Sequence, residues 1–158
     1  MSLKLLGDFF NPRPFPEKID TVFFGLGNPG EEYALTRHNI GFIVADKLTT
    51  LLSEVTTKRF GDAVVAVGVL QNKKVAVVKP LTFMNSSGNA VDTIMKATSL
   101  PLSSVMVLVD DFNIPLGSVR VRKSGSAGGH NGLKSIQSFV GPDYPRLRIG
   151  IGPLPDGI

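Results

Sequence analysis

Apolar positions along this chain change their spacing several times, and each change marks an element. Thr21–Leu26 is a β-rich run, and Val105–Val109 is continuously apolar, which predicts a short central strand buried on both faces. Ser118–Lys123 alternates, with Val119 and Val121 against Arg120 and Arg122. Leu147, Ile149 and Ile151 alternate in the same way with Arg146 and Arg148. From His38 to Leu52 the apolar residues Ile40, Ile43, Val44, Leu48, Leu51 and Leu52 follow helical spacing, with Thr36 as N-cap. Ala63–Leu70 and Lys74–Val78 read as two strands of a hairpin turning at Gln71-Asn72-Lys73, with Pro80 ending the second. Further helices are expected over Ala90–Ala97 and from His130 or Asn131 through Phe139. Residues 1–20 read as an extended, Pro-punctuated lead-in, and residues 21–158 as one domain. Strands alternating with helices predict an α/β fold, and the hairpin makes its central sheet mixed.

Composition narrows the chemistry. A chain of 158 residues buries enough surface to fold without a staple. It has no cysteine, so disulfides, thiolate nucleophiles and zinc–thiolate sites are excluded together. No apolar run approaches the roughly 20 residues that span a bilayer, and no secretion signal is read at the start. The expected setting is cytoplasmic, away from membranes. A formal net charge of +4 favours an anionic partner, although a modest basic excess is also common in proteins without one.

Candidate chemistry starts where the first strand ends. Gly25-Leu26-Gly27-Asn28-Pro29-Gly30 matches G-x-G-x-x-G, but its context argues against a dinucleotide. Pro29 removes a backbone donor, Glu31 and Glu32 would repel a pyrophosphate, and Asp46 lies inside the following helix. A tight turn with Asn28 bonding its own loop explains the segment as well. His38 falls at a helix start, where the dipole favours a neutral base, and the apolar strand ends in Asp110-Asp111. A His–carboxylate pair activates water. G-x-S-x-G and H-E-x-x-H are both absent, and two histidines without cysteine make a poor metal site. Metal-free attack by water is the chemistry left. Asn85 in Met84-Asn85-Ser86-Ser87-Gly88 is either a helix cap or an oxyanion donor. Gly128-Gly129-His130-Asn131-Gly132 offers N–H groups at a helix start, or simply a turn and cap. Arg120, Arg122, Lys123, Lys134, Arg146 and Arg148 form either scattered solvated charge or a phosphate-binding surface.

In their order and spacing these segments resemble the bacterial peptidyl-tRNA hydrolases. The resemblance runs from Val22 to about Pro153. It rests on GLGNPG with EEY (Gly25–Tyr33), TRHNIGF (Thr36–Phe42), KPLTFMNSSG (Lys79–Gly88), VDD with IPLG (Val109–Gly117), and GGHNGLKSI with RLRIGIG (Gly128–Ile136, Arg146–Gly152). It implies a single α/β domain that cleaves the ester between a peptide and the 3′ end of tRNA, recycling peptidyl-tRNA without metal or cofactor. By motif, His38 would activate water and Asp110 would orient and polarise it. Asn85 would position substrate or water and stabilise the oxyanion. Asn28, Tyr33, Met84, His130 and Asn131 would hold the peptide and the terminal adenosine. Arg120, Arg122, Lys134, Arg146 and Arg148 would contact the tRNA.

The sequence departs from the family pattern in three places. It ends after Arg146–Gly152, where the family continues into a lid segment and a C-terminal helix. Asn113 stands where an acid is common, and the lead-in is long. The partner expected is peptidyl-tRNA, engaged by a monomer. The alternative reading is a non-catalytic RNA-binding relative, similar to chloroplast proteins that assist group II intron splicing.

Overall fold

The computed structural model describes Phe15 and residues 17–153. Strand β1 (Thr21–Gly25) leads into two one-turn 3-10 segments, Glu31–Tyr33 and Arg37–Asn39, and helix α1 (Ile40–Thr50). Three strands follow: β2 (Ser53–Phe60), β3 (Ala63–Leu70) and β4 (Lys73–Pro80). A 3-10 turn (Met84–Ser86) opens helix α2 (Ser87–Thr98), which precedes β5 (Val105–Pro115) and β6 (Val119–Arg122). Helix α3 (Asn131–Val140) and β7 (Arg146–Gly152) complete the described chain.

The strands form one seven-stranded sheet in the order β2-β3-β4-β1-β5-β7-β6. The central strands β4, β1, β5 and β7 are parallel, whereas β2–β3–β4 and β6–β7 pair antiparallel. This is the mixed sheet the hairpin predicts. The pleat divides the core. Val22, Phe24, Val78, Val107 and Val109 face one side, together with Leu133 and Ile136 of α3 and Val91 and Ile94 of α2. Val75, Val77, Leu108 and Ile149 face the other side, with Ala45 of α1. Each such buried Val, Leu, Ile or Phe side chain contributes about 1.5–3 kcal/mol.

Topology sets where a site forms. The chain leaving β1 runs toward β2–β4, and the chain leaving β5 runs toward β6 and β7. These neighbours therefore part at their carboxyl ends, which is where open α/β sheets hold ligands. Helix α1 begins directly on that junction. A Cβ on Gly41 would lie 2.6 Å from the Leu108 carbonyl oxygen, so only glycine permits the approach. The 3-10 turn bearing His38 is thereby seated over the ends of β1 and β5.

Several boundaries differ from the expectation. The helix expected over 38–52 begins at Ile40, behind the turn that holds His38. Thr36 precedes that turn, but its hydroxyl donates to the Tyr33 carbonyl rather than capping it. The spacing of apolar residues does not predict strand β2. It lies at the sheet edge with nearly every residue exposed, so no buried face leaves a period-two pattern. Gln71 and Asn72, both with positive φ, turn the β3–β4 hairpin in two residues. Strand β5 continues through Asp110 and Asp111 to Pro115, pairing with β7 beyond its apolar half. The core also reaches upstream of Thr21. Phe15 and Ile19 are buried in it, and the Phe15 ring lies 4.8 Å from that of Phe60. Residues 1–14, 16 and 154–158 of the expected lead-in and C-terminal end lie outside the described residues.

Candidate active site

Strand β5 carries Asp110 to the sheet's carboxyl edge, where the residue is only 5% exposed. A buried carboxylate needs partners, and this one has an imidazole on each oxygen. His38 Nδ1 lies 2.8 Å from Oδ2, and His130 Nε2 lies 2.7 Å from Oδ1. Burial pushes the Asp110 pKa up. Hydrogen bonds from the imidazoles and their electrostatic attraction for the negative charge, His130 ahead of His38, outweigh it and hold the carboxyl below the ordinary range.

Hydrogen-bond directions assign the ring protons. A carboxylate only accepts, so His38 Nδ1–H donates to Asp110 and leaves the Nε2 lone pair open. The His38 side chain is 71% exposed, so water and solutes can reach it. His130 caps α3, its Nδ1 accepting from the N–H groups of Gly132 (3.1 Å) and Leu133 (3.3 Å). Its proton therefore sits on Nε2 and points at Asp110. Both ring nitrogens are engaged, so His130 supports Asp110, while the same ring lines the cleft beside His38 together with Gly128 and Gly129.

His38 and Asp110 line a cleft of about 270 Å³ with Phe112, Gly128, Gly129 and Arg148. A second cleft of similar size adjoins it, sharing Asp111, Asn113 and Arg148, and is lined also by Arg120 and Arg122. Arg148 donates to Asp111 and to the Ser126 carbonyl, which holds it at the boundary between the two. Lys134 lies exposed on α3 beside the glycine-rich segment.

Arg146 differs from its expected role. It is fully buried, and its guanidinium donates to the carbonyls of Pro142 (2.6 Å), Tyr144 and Ser126 while stacking 4.0 Å from the Tyr144 ring. Burial pushes its pKa below the usual arginine range. It ties the glycine-rich segment to the α3–β7 connection and has no face for a phosphate. Arg146 and Arg148 share a sheet face, and only their depth along β7 separates them.

The amide-bearing residues lie on neighbouring loops. Asn85 is exposed in the Met84–Ser86 turn, and Asn131 is exposed in the first turn of α3. These two turns pack together. A Cβ on Gly132 would lie 2.8 Å from Met84 Sδ, and Gly88 N–H donates to Ser135 Oγ at 2.9 Å. Tyr33 meets Phe83 edge-on, with ring centroids 6.4 Å apart. Asn28 accepts the Met84 N–H on its Oδ1 at 2.7 Å, joining the first loop to the Asn85 turn. It borders a separate cleft of about 290 Å³ with Phe42, Ile43 and Lys79, not the one lined by His38. Asn39, buried beneath His38, was not singled out from sequence. An Asn at a helix start reads as a cap, and its long-range bonds to Asn28 leave no local signature.

Among the described residues no group of three or more His, Cys, Asp or Glu side chains is arranged to hold a metal ion, and no helix is long and apolar enough to cross a membrane.

Comparison with known proteins accords with this geometry. The family model described as peptidyl-tRNA hydrolase matches residues 22–157. The peptidyl-tRNA hydrolase of Fervidobacterium nodosum is 44% identical over 137 residues, covering 87% of this chain and 70% of the relative. That of Carboxydothermus hydrogenoformans is 48% identical over 132 residues, covering 83% and 71%. The crystal structure of peptidyl-tRNA hydrolase from Acinetobacter baumannii superposes with a TM-score of 0.80 at 34% identity, covering 89% of this chain and 73% of that one. A match spanning nearly the whole described domain, in sequence and in fold, makes this chain a member of the peptidyl-tRNA hydrolase family.

Proposed function

We propose that the chain hydrolyses the ester bond between the peptide and the tRNA of peptidyl-tRNA, with His38 as general base. The observation that carries this reading is the 2.8 Å contact between His38 Nδ1 and the buried Asp110 carboxylate, which leaves Nε2 open on an exposed ring. Water held at Nε2 gives up a proton as its oxygen attacks the ester carbonyl. Asp110 stabilises the imidazolium so formed. Charge developing on the carbonyl oxygen is held by the Asn85 amide. Collapse breaks the bond to the ribose oxygen, which takes the proton back from His38 Nε2. The products are a peptide acid and a tRNA with a free terminal hydroxyl.

Asn28, Tyr33, Met84 and Asn131 hold the peptide and terminal adenosine in this reading. The cleft edged by Arg120, Arg122 and Arg148, with Lys134 nearby, takes tRNA phosphates. Arg146 is left out because its guanidinium is buried on carbonyls. The reaction as written uses only these side chains and water, in a cytoplasmic monomer. The relatives named above are hydrolases, and nothing supports the non-catalytic splicing-factor alternative.

The test is release of free tRNA from an N-blocked peptidyl-tRNA by the wild-type chain and by His38→Ala. The expected loss is about 10²- to 10⁴-fold in turnover. A folded His38→Ala protein with wild-type turnover contradicts the assignment.

A further inference from the structure

Asn39 follows the proposed base in sequence and is 1% exposed, yet it carries a carboxamide that must be satisfied where it lies. It is satisfied by one residue. The Asn28 N–H donates to Asn39 Oδ1 at 2.8 Å, and Asn39 Nδ2 donates to the Asn28 carbonyl at 2.8 Å. No ladder does this work, since β1 ends at Gly25 and Leu26 N–H makes the last bond across to β5. The Asn39 side chain therefore replaces a neighbouring strand for a single residue. These two bonds also fix the Asn39 amide orientation.

The consequence lies in the Asn28 side chain. Its Oδ1 accepts the Met84 N–H at 2.7 Å, so its remaining polar group is the Nδ2 amide, which can only donate. The turn fixed by that bond also carries Asn85. We propose that Asn39 is a positioning residue that clamps the Asn28 backbone, so that Asn28 offers substrate a donor and thereby selects an acceptor such as a peptide carbonyl. This rests on the reading above that Asn28 binds substrate. Three hydrogen bonds then link the residue beside His38 to the residue beside Asn85 through Asn28 alone.

The experiment is a double-mutant cycle on peptidyl-tRNA cleavage by Asn39→Ala, Asn28→Ala and the pair, with amide hydrogen exchange followed at Asn28 and Met84. A clamp predicts that Asn39→Ala raises KM about tenfold, as expected for one charge-free hydrogen bond to substrate, with kcat within about threefold. The pair should be no worse than Asn28→Ala alone, and exchange at Met84 should quicken. A general loss of stability would not produce that split or that lack of additivity. Asn39→Ser keeps a small polar side chain but is too short to make both bonds to Asn28. It should raise KM as Asn39→Ala does, and it supplies the cycle if Asn39→Ala does not fold. Multiplicative losses, or unchanged KM in folded Asn39 variants while Asn28→Ala is impaired, overturn the clamp alone. An unchanged KM in Asn28→Ala removes the substrate role beneath it and overturns both.

Discussion

His130 Nε2 donates to Asp110 Oδ1 at 2.7 Å, on the opposite side of the carboxylate from His38. His130 can do nothing else with its proton, because two α3 backbone N–H groups occupy its Nδ1. One carboxylate oxygen is therefore held by a donor of fixed direction, and His38, on the other, is the more exposed of the two rings. His130→Ala should lower kcat about 10- to 100-fold with little change in KM, as expected when a buried charged acceptor loses a partner. Steady-state cleavage of peptidyl-tRNA checks this. A raised KM with unchanged kcat points instead to direct substrate contact.

The lowered pKa of Asp110 makes stability depend on acid. Its folded pKa lies below its unfolded value of about 3.9. The stabilisation it gives is complete above that unfolded value and is lost as pH falls through the folded one. Urea unfolding across this range should show the wild type losing stability faster than Asp110→Asn below about pH 4. Parallel curves for the two proteins contradict the prediction.

Asn85 and the two flanking amides should separate kinetically. Asn85→Ala should lower kcat about 10²- to 10³-fold with a smaller change in KM, because an oxyanion donor acts mainly in the transition state. Asn28→Ala and Asn131→Ala should raise KM at least as much as they lower kcat. An Asn85→Ala variant altered only in KM reduces that residue to a substrate clamp.

The arginines should divide by burial rather than by charge. Replacing Arg120, Arg122 or Arg148 by Ala should weaken tRNA binding and shallow its salt dependence, by about 0.7–0.9 in log–log slope for each phosphate no longer neutralised. Arg146→Met should instead destabilise the fold by on the order of 3 kcal/mol, by taking from the buried Tyr144 its two guanidinium hydrogen bonds at the carbonyl. Binding titrations at several salt concentrations, with thermal unfolding beside them, distinguish the two. A stable Arg146→Met protein with a reduced salt slope returns Arg146 to the RNA surface.

The divide between Arg146 and Arg148 also shows what the sequence made legible. Their alternation with Leu147 and Ile149 identifies a strand and its faces, but not how far the α3–β7 connection covers one end of it. Depth is a tertiary property. The β5 run was readable because both its faces are buried, whereas β2 was hidden because neither is. His38 and Asp110 could be paired from sequence, since a strand ending in acids and a His after another strand both fall at the sheet's carboxyl edge. The third member could not. His130 resembles a cap residue, and it is one. Only the fold shows that the opposite nitrogen of the same ring reaches Asp110.

The central claim is that His38 and Asp110 act as one unit, and a double-mutant cycle on single-turnover cleavage of peptidyl-tRNA tests it most directly. His38→Ala, Asp110→Asn and the pair are compared with wild type, each confirmed as folded. The account predicts that both single variants are slow and that the pair is no slower than His38→Ala, because Asp110 acts through that ring. Losses that multiply in the pair, by at least about tenfold beyond His38→Ala, contradict it.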